Sequence, residues 1–497
     1  MVTAVALVLY GLAIGALALA VWRRPVVALY AWILGLAVHN ALGAALYGAG
    51  IRGSALTAIQ AWKEILLAVG LLRVAAGVVR ERRLPFRPGP VDVLAVAYGV
   101  LVCVYALIPQ HVLGGSADRH AVGLALKHNL VPVAAYFLGR SLIVRRGELV
   151  RLAWTLVAAA AVVAVIGIVD VYAISIAWWR DSAVVPYFHK HLGYDYHGTG
   201  GLPENFIYNV GSDKPFLRRL VSVFLSPLAS AYMFTLALLL ATALRRRVRL
   251  LALAGVLVAV GLLFTFSRSS LIALAAGLVV FAFAQRRWWP VLAAAATIGV
   301  SIAWVHVFPH VAPTGRFTTA DIAYQHAQAR QHPGASTNPA STNESSFRSH
   351  LTSLRDGART VVHHPQGYGL GNAGQTASRT ATPIKAGESN YTEMGAEMGI
   401  LGSILWTLWS LVLFVALLRK ALRSQWWAAA GVSSAFGAAL VLAVQTDVIG
   451  DPWMGYVLWS LAGLVLSADA LRPHDEPAVD VVAERPVPRV GVVRVER

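Results

Sequence analysis

Along the chain, uninterrupted apolar runs alternate with short polar gaps. The runs fall at about 2–22, 25–47, 54–76, 91–109, 120–139, 151–173, 220–243, 249–267, 269–285, 288–307, 396–418, 425–446 and 452–468. Each has roughly the length a helix needs to cross a hydrocarbon core. Strands of a transmembrane barrel would alternate in polarity at every second residue, so a barrel is excluded. The pattern predicts an all-α polytopic membrane protein with 12–13 transmembrane helices and one large extracytoplasmic loop domain.

Four stretches organise the chain: 1–305, ten helices with an external aromatic loop at 174–218; 306–395, a large external loop; 396–468, three further helices; and 469–497, a Pro- and charge-rich tail expected to be disordered. The aromatic loop carries Trp178, Trp179, Tyr187, Tyr194, Tyr196, Phe206 and Tyr208. Within the large loop, 331–345 is poor in apolar residues, whereas 346–362 has the spacing of an amphipathic helix.

Composition agrees: of 497 residues, 57% are hydrophobic and only 13% charged. The lone Cys103 rules out a disulfide framework and a cysteine metal site. A net charge of +18 would suggest nucleic acid, but its arginines sit in every second gap, from Arg23 and Arg24 to Arg419 and Arg423. That is positive-inside patterning, and nucleic acid is not expected as a partner. The N-terminus is then outside and the C-terminus inside. The first run has no basic residue before it and Arg-Arg after it, which favours an anchor over a cleaved leader.

Polar residues inside the runs gather in their outer halves: His39, Asn40, Gln60, Lys63, Glu64, Lys127, His128, Asn129, Asp170, Gln445 and Asp447. Any one of them could serve interhelical hydrogen bonding; their shared depth points to a polar cavity opening outward. Arg218 and Arg219 precede one span, and Arg268 lies between two. An arginine at such a boundary either snorkels or meets an anion, and its planar fork fits phosphate oxygens. Gly367, Gly369, Gly371 and Gly374 allow a tight turn or close backbone approach, without a nucleotide fingerprint. His189 with His191, and His363 with His364, lack a nearby third ligand and read as surface histidines, so no metal is expected.

Four blocks in order resemble the O-antigen ligase and O-antigen polymerase superfamily of bacterial membrane glycosyltransferases. They are Arg219 with Phe224, Pro227 and Ala229; Thr265 to Ser269; Arg348 with His364, Pro365, Gly367 and Gly369; and Tyr391 with Glu397, Gly399 and Gly402. Ser222 and Leu228 replace a Gly and an Asn of the first block. Glu388 and Ser389 stand where ligases of the family carry a His-Asn pair.

The resemblance implies a GT-C-like fold in the bacterial inner membrane, with the site on the extracytoplasmic face. It implies transfer of a glycan from an undecaprenyl-diphosphate carrier to an acceptor glycan or lipid, without metal or cofactor. Glu388 would act on the acceptor hydroxyl, and Arg219 and Arg268 on the diphosphate. Arg218, Arg348, His364, Tyr391 and Lys63 would contribute to substrate binding. Glu388 favours a polymerase of repeat units, served by a chain-length regulator, over a ligase acting on lipid A core or protein. A transporter of lipid-linked glycan is the reading from another class; it calls for a midplane site and repeat symmetry, which the chain does not display. Glu388 as an ordinary helix cap is the plain alternative to a base.

Overall fold

The computed structural model describes residues 2–209, 214–244, 250–331, 336, 341, 345–386 and 389–468. Each apolar run falls on a helix. The first seven long or broken helices are α1 (Val2–Arg23), α2 (Val27–Gly48), α3 (Gly53–Gln60), α4 (Trp62–Glu81), α5 (Pro90–Leu107), α6 (Arg119–Ser141) and α7 (Arg146–Ala173). The third run is broken at Ala61, whose φ of -74 and ψ of 2 separate α3 from α4. Polar Gln60 and Lys63 flank that break.

After α7 come the short α8 (Ile176–Asp181) and α9 (Val184–Pro186), then strands β1 (Ile207–Tyr208) and β2 (Phe216–Arg218). Helices α10 (Pro227–Leu244), α11 (Leu251–Phe264), α12 (Arg268–Gln285) and α13 (Trp289–Val311) return to the bundle. Strand β3 (Thr314–Gly315), α14 (Thr319–Gln331), α15 (Ser345–His363) and α16 (Gly374–Arg379) form the second long segment. The amphipathic spacing at 346–362 corresponds to α15. Helices α17 (Asn390–Ser424), α18 (Trp427–Leu442) and α19 (Pro452–Ser467) complete the described chain. The protein is therefore an all-α multi-pass membrane protein, and among the described residues nine helices are long and apolar enough to span a bilayer.

Small residues let the central helices approach closely, as membrane packing favours. On α19, a Cβ at Gly463 would lie 2.8 Å from the Arg140 backbone nitrogen of α6. Nearby, Ser460 Oγ donates to Ala135 O at 3.1 Å. Where α5 and α6 meet at the arginine-bearing face, Arg140 grips Asp92 with two bonds of 2.9 and 3.0 Å, and Tyr136 donates to the same carboxylate at 2.7 Å.

At the opposite face the two long segments are tied together. The strands form an antiparallel sheet in the order β1-β2-β3, pairing Ile207 with Arg218 and Phe216 with Gly315. Beside it, Asp321 accepts from Thr318 N at 3.0 Å, Thr199 Oγ1 at 3.1 Å and Gly200 N at 3.2 Å. Burial raises the Asp321 carboxyl, but these hydrogen bonds outweigh it and hold the group below its ordinary value.

Candidate functional site

The first turns of α17 are stitched to the turn between α18 and α19. Ser389 opens the helix without a side-chain cap bond; its Oγ donates to Ala443 O at 3.2 Å, and Asn390 N donates to the same carbonyl at 3.1 Å. Asn390 Nδ2 donates to Asp447 Oδ1 at 2.7 Å, and Val448 N donates back to Asn390 Oδ1 at 2.8 Å. Asn390, Glu393 and Glu397 follow at steps of three and four, which puts them on one helix face. Glu393 and Glu397 are each 1% exposed and Asp447 4%.

These carboxylates differ in their surroundings. Glu397 accepts from Gly371 N at 2.7 Å and from Asn129 Nδ2 at 3.2 Å, while Asn129 accepts from Tyr98 OH at 2.5 Å. It is a satisfied structural anchor. Glu393 Oε2 and Asp447 Oδ2 are buried without a hydrogen-bond partner among the described residues. His128 Nε2 lies 3.4 Å from Asp447 Oδ1, at ion-pair range without hydrogen-bond geometry. Outside the spans, burial pushes Asp447 up, but His128 and the bonds from Asn390 and Gly450 bring it below the ordinary carboxylate value. His128, Glu393 and Asp447 each offer one ligand atom within 4.8 Å of the others, so these three could hold a cation.

The glycine-rich segment explains how Glu397 is reached. Met398 and Gly399 break the helical path of α17, with Gly399 at φ 69. Into this kink docks the 365–371 backbone: Tyr368 N donates to Ala396 O at 2.7 Å, Gly369 N to Glu397 O at 2.9 Å, and Ile400 N to Pro365 O at 2.9 Å. A Cβ on Gly399 would collide with Pro365 O. The glycines thus serve an approach to α17.

A basic wall stands opposite. Lys63 Nζ donates to Gln60 O at 2.9 Å and sits 3.3 Å from His39 Nε2 and 3.6 Å from Glu64, which also pairs with Lys127 at 3.3 Å. Arg379 on α16 joins this wall through Leu192, next to His191, whose Nε2 lies 2.8 Å from Gln60 Oε1. Arg379 Nε donates to Leu192 O at 3.1 Å and its guanidinium sits 5.6 Å from the Tyr194 ring. Tyr194 stacks on Tyr196 at 4.9 Å, and Tyr187 receives Gln60 Nε2 at 2.7 Å. The aromatic segment therefore packs onto this wall.

On the third side Arg219 reaches the turn that carries Arg268. Arg219 Nε donates to Thr265 O at 2.8 Å, within the turn that ends at Arg268, the first residue of α12. Both segments carry non-glycine residues in the left-handed region: Ser222 and Leu225 after Arg219, Phe266 before Arg268. Such conformations are costly and persist where surroundings impose them; Phe266 is clamped against Phe308, ring centroids 4.2 Å apart. Burial, then the charge of Arg268, brings Arg219 down to about 10. Tyr232, whose hydroxyl is 2.9 Å from Thr446 Oγ1, connects this pair to the Asp447 turn.

The other residues singled out from sequence are scattered. Arg218 is buried against Asp170 at 2.9 Å and bonds Ile174 O, so its guanidinium is engaged within the protein. Arg348 is exposed on α15. His364 stacks on Tyr368 at 3.8 Å and contacts Leu113 O at 2.8 Å. Tyr391 OH donates to Leu440 O at 3.2 Å. Glu388 lies outside the described residues. Sequence reasoning passed over Glu393 and Arg379; the 390, 393, 397 spacing on an otherwise small and apolar stretch was the signal for the first.

A family model described as O-antigen ligase matches residues 253–407, from α11 to the middle of α17. The match includes Arg268, the docked glycine segment, Arg379, Glu393 and Glu397, while Arg219, His128 and Asp447 lie outside it. No curated protein matches the chain.

Proposed function

Since the chain belongs to the O-antigen ligase and polymerase superfamily through residues 253–407, we propose that it moves a glycan from an undecaprenyl-diphosphate carrier to an acceptor sugar hydroxyl at the outer face of the bacterial inner membrane, joining lipid-linked repeat units. The observation that carries this reading is that Arg219, through its Nε bond to Thr265 O, is held on the turn that ends at Arg268, so that two arginines belong to one corner of the site. A diphosphate offers oxygens to both planar forks.

In this scheme the acceptor oxygen attacks the sugar's anomeric carbon as the bond to the diphosphate oxygen breaks. Arg219 and Arg268 stabilise the charge that builds on the leaving diphosphate. Glu388 takes the acceptor proton. Asp447 acts as a positioning residue, because it holds Asn390 and so fixes the start of α17, two residues beyond Glu388. The aromatic segment, packed on Arg379 and Gln60, offers ring faces to sugars.

No step requires a metal, although His128, Glu393 and Asp447 could accept one. The test is purified protein treated with EDTA and given a lipid-linked repeat unit alone. A ladder of products is expected. Product only when a second acceptor is supplied would instead establish a ligase, the reading that the family description favours. Activity lost in EDTA and restored by a divalent cation would overturn the metal-free scheme.

A further inference from the structure

A cavity lies at the arginine-bearing face, at the helix ends opposite the site above. It encloses about 780 Å³ between the α1–α2 turn, the end of α4 and the α6–α7 turn. That volume is in the range of small-molecule sites, about 300–1,000 Å³. Six arginines line it: Arg23, Arg24, Arg73, Arg83, Arg145 and Arg151, against Glu81 and Glu148.

The glutamates leave much of this charge uncompensated. Glu148 is engaged by Arg151 at 2.8 Å, Arg24 at 3.4 Å and Tyr30 OH at 2.9 Å, and Glu81 by Arg83 at 3.4 Å. Among the described residues the guanidiniums of Arg23, Arg73 and Arg145 make no ion pair and no hydrogen bond. Arg73 stands two turns inside α4, so its guanidinium enters the cavity from the bundle side.

Apolar side chains share the same walls: Val74, Val78, Leu84, Leu142 and Ile143, the last 81% exposed. Beside the cavity, α1 is packed along only 6% of its apolar window, leaving a greasy surface that leads away from the arginines. Fixed cations meeting open apolar surface at the end of a bundle match a headgroup joined to acyl chains.

We propose that this cavity holds the phosphate headgroup of an anionic membrane lipid, gripped by Arg23, Arg73 and Arg145, with its chains lying along α1. The positive-inside role of these arginines needs only their charge, which lysine also supplies. Bidentate grip on phosphate needs the guanidinium fork. The two roles therefore separate under Arg→Lys substitution.

The experiment uses the full-length protein, purified in detergent and freed of lipid, with binding read by native mass spectrometry. Phosphatidylglycerol, phosphatidylcholine and inorganic phosphate are offered in turn to the wild type and to an R73K/R145K double variant. Wild type is expected to retain phosphatidylglycerol in preference to phosphatidylcholine. The double variant, still monodisperse and still producing glycan, is expected to bind phosphatidylglycerol about tenfold more weakly or worse, as loss of charge-assisted bonds implies. Equal retention of the two lipids, or equal binding by the variant, would overturn the proposal. Displacement of phosphatidylglycerol by millimolar inorganic phosphate would also overturn it, in favour of a soluble phosphate ligand.

Discussion

Replacing Arg219 or Arg268 by lysine tests the diphosphate reading most directly. Arg219 is oriented by its Nε bond to Thr265 O at 2.8 Å, an anchor that lysine cannot reproduce. One charge-assisted hydrogen bond contributes about 1.5–3 kcal/mol, so each single variant should lose roughly 10- to 150-fold in kcat/KM. The double variant should lose less than the product of the two, because both arginines grip one ligand. A second signature comes from the local field. Burial and the Arg268 charge, which hold the Arg219 guanidinium down at about 10, would also push down a lysine ammonium placed there. R219K should therefore lose kcat/KM toward the alkaline end of the range, as its ammonium deprotonates, while the wild type keeps its charge there. The assay is initial-rate formation of the glycan ladder between pH 6 and 9, with expression and monodispersity matched. Full activity in both lysine variants, with no pH difference, would refute the reasoning and leave the arginines as interfacial anchors.

For Glu388, E388Q should fold, bind lipid-linked donor and lose about 10²–10⁴-fold in rate, as loss of proton transfer implies; near wild-type turnover would mark the residue as a helix cap. D447N should lower kcat about tenfold per folded molecule, by loosening Asn390 and α17, as expected for loss of a charge-assisted bond; reduced thermal stability with unchanged kcat would limit Asp447 to a structural role. Asp321 has a carboxyl held below its ordinary value in the fold, so its contribution is present above about pH 4 and fades as pH falls through the folded value. Limited proteolysis should therefore show the two long segments opening at acid pH in the wild type and at neutral pH in D321N; equal protection at neutral pH would refute the clasp. Cysteines introduced at Ser182 and Ser341 should react with an impermeant thiol reagent in sealed cells, and one at Arg246 only after permeabilisation; labelling at Arg246 in sealed cells would reverse the orientation.

What could be read from the sequence is what depends on composition within one stretch of chain. Apolar length gives a spanning helix because lipid leaves the backbone no other partner. Arg219 and Arg268 stood out because an arginine at a span boundary calls for an explanation within its own neighbourhood. The break at Ala61 was not legible, since the apolar run continues across it. The glycine segment could be read as permission for close approach, but not as an approach to Gly399, whose φ of 69 opens the place where Pro365 docks. Asp447 and His128 are separated by most of the chain, and their 3.4 Å contact follows from α6 lying along α19. The same distinction applies to Arg218 and Arg219. Adjacent in sequence and alike in chemistry, they diverge because β2 directs one side chain into Asp170 and the next toward the Thr265 turn. That alternation is a property of extended backbone, and it assigns one arginine to the scaffold and the other to the proposed diphosphate grip.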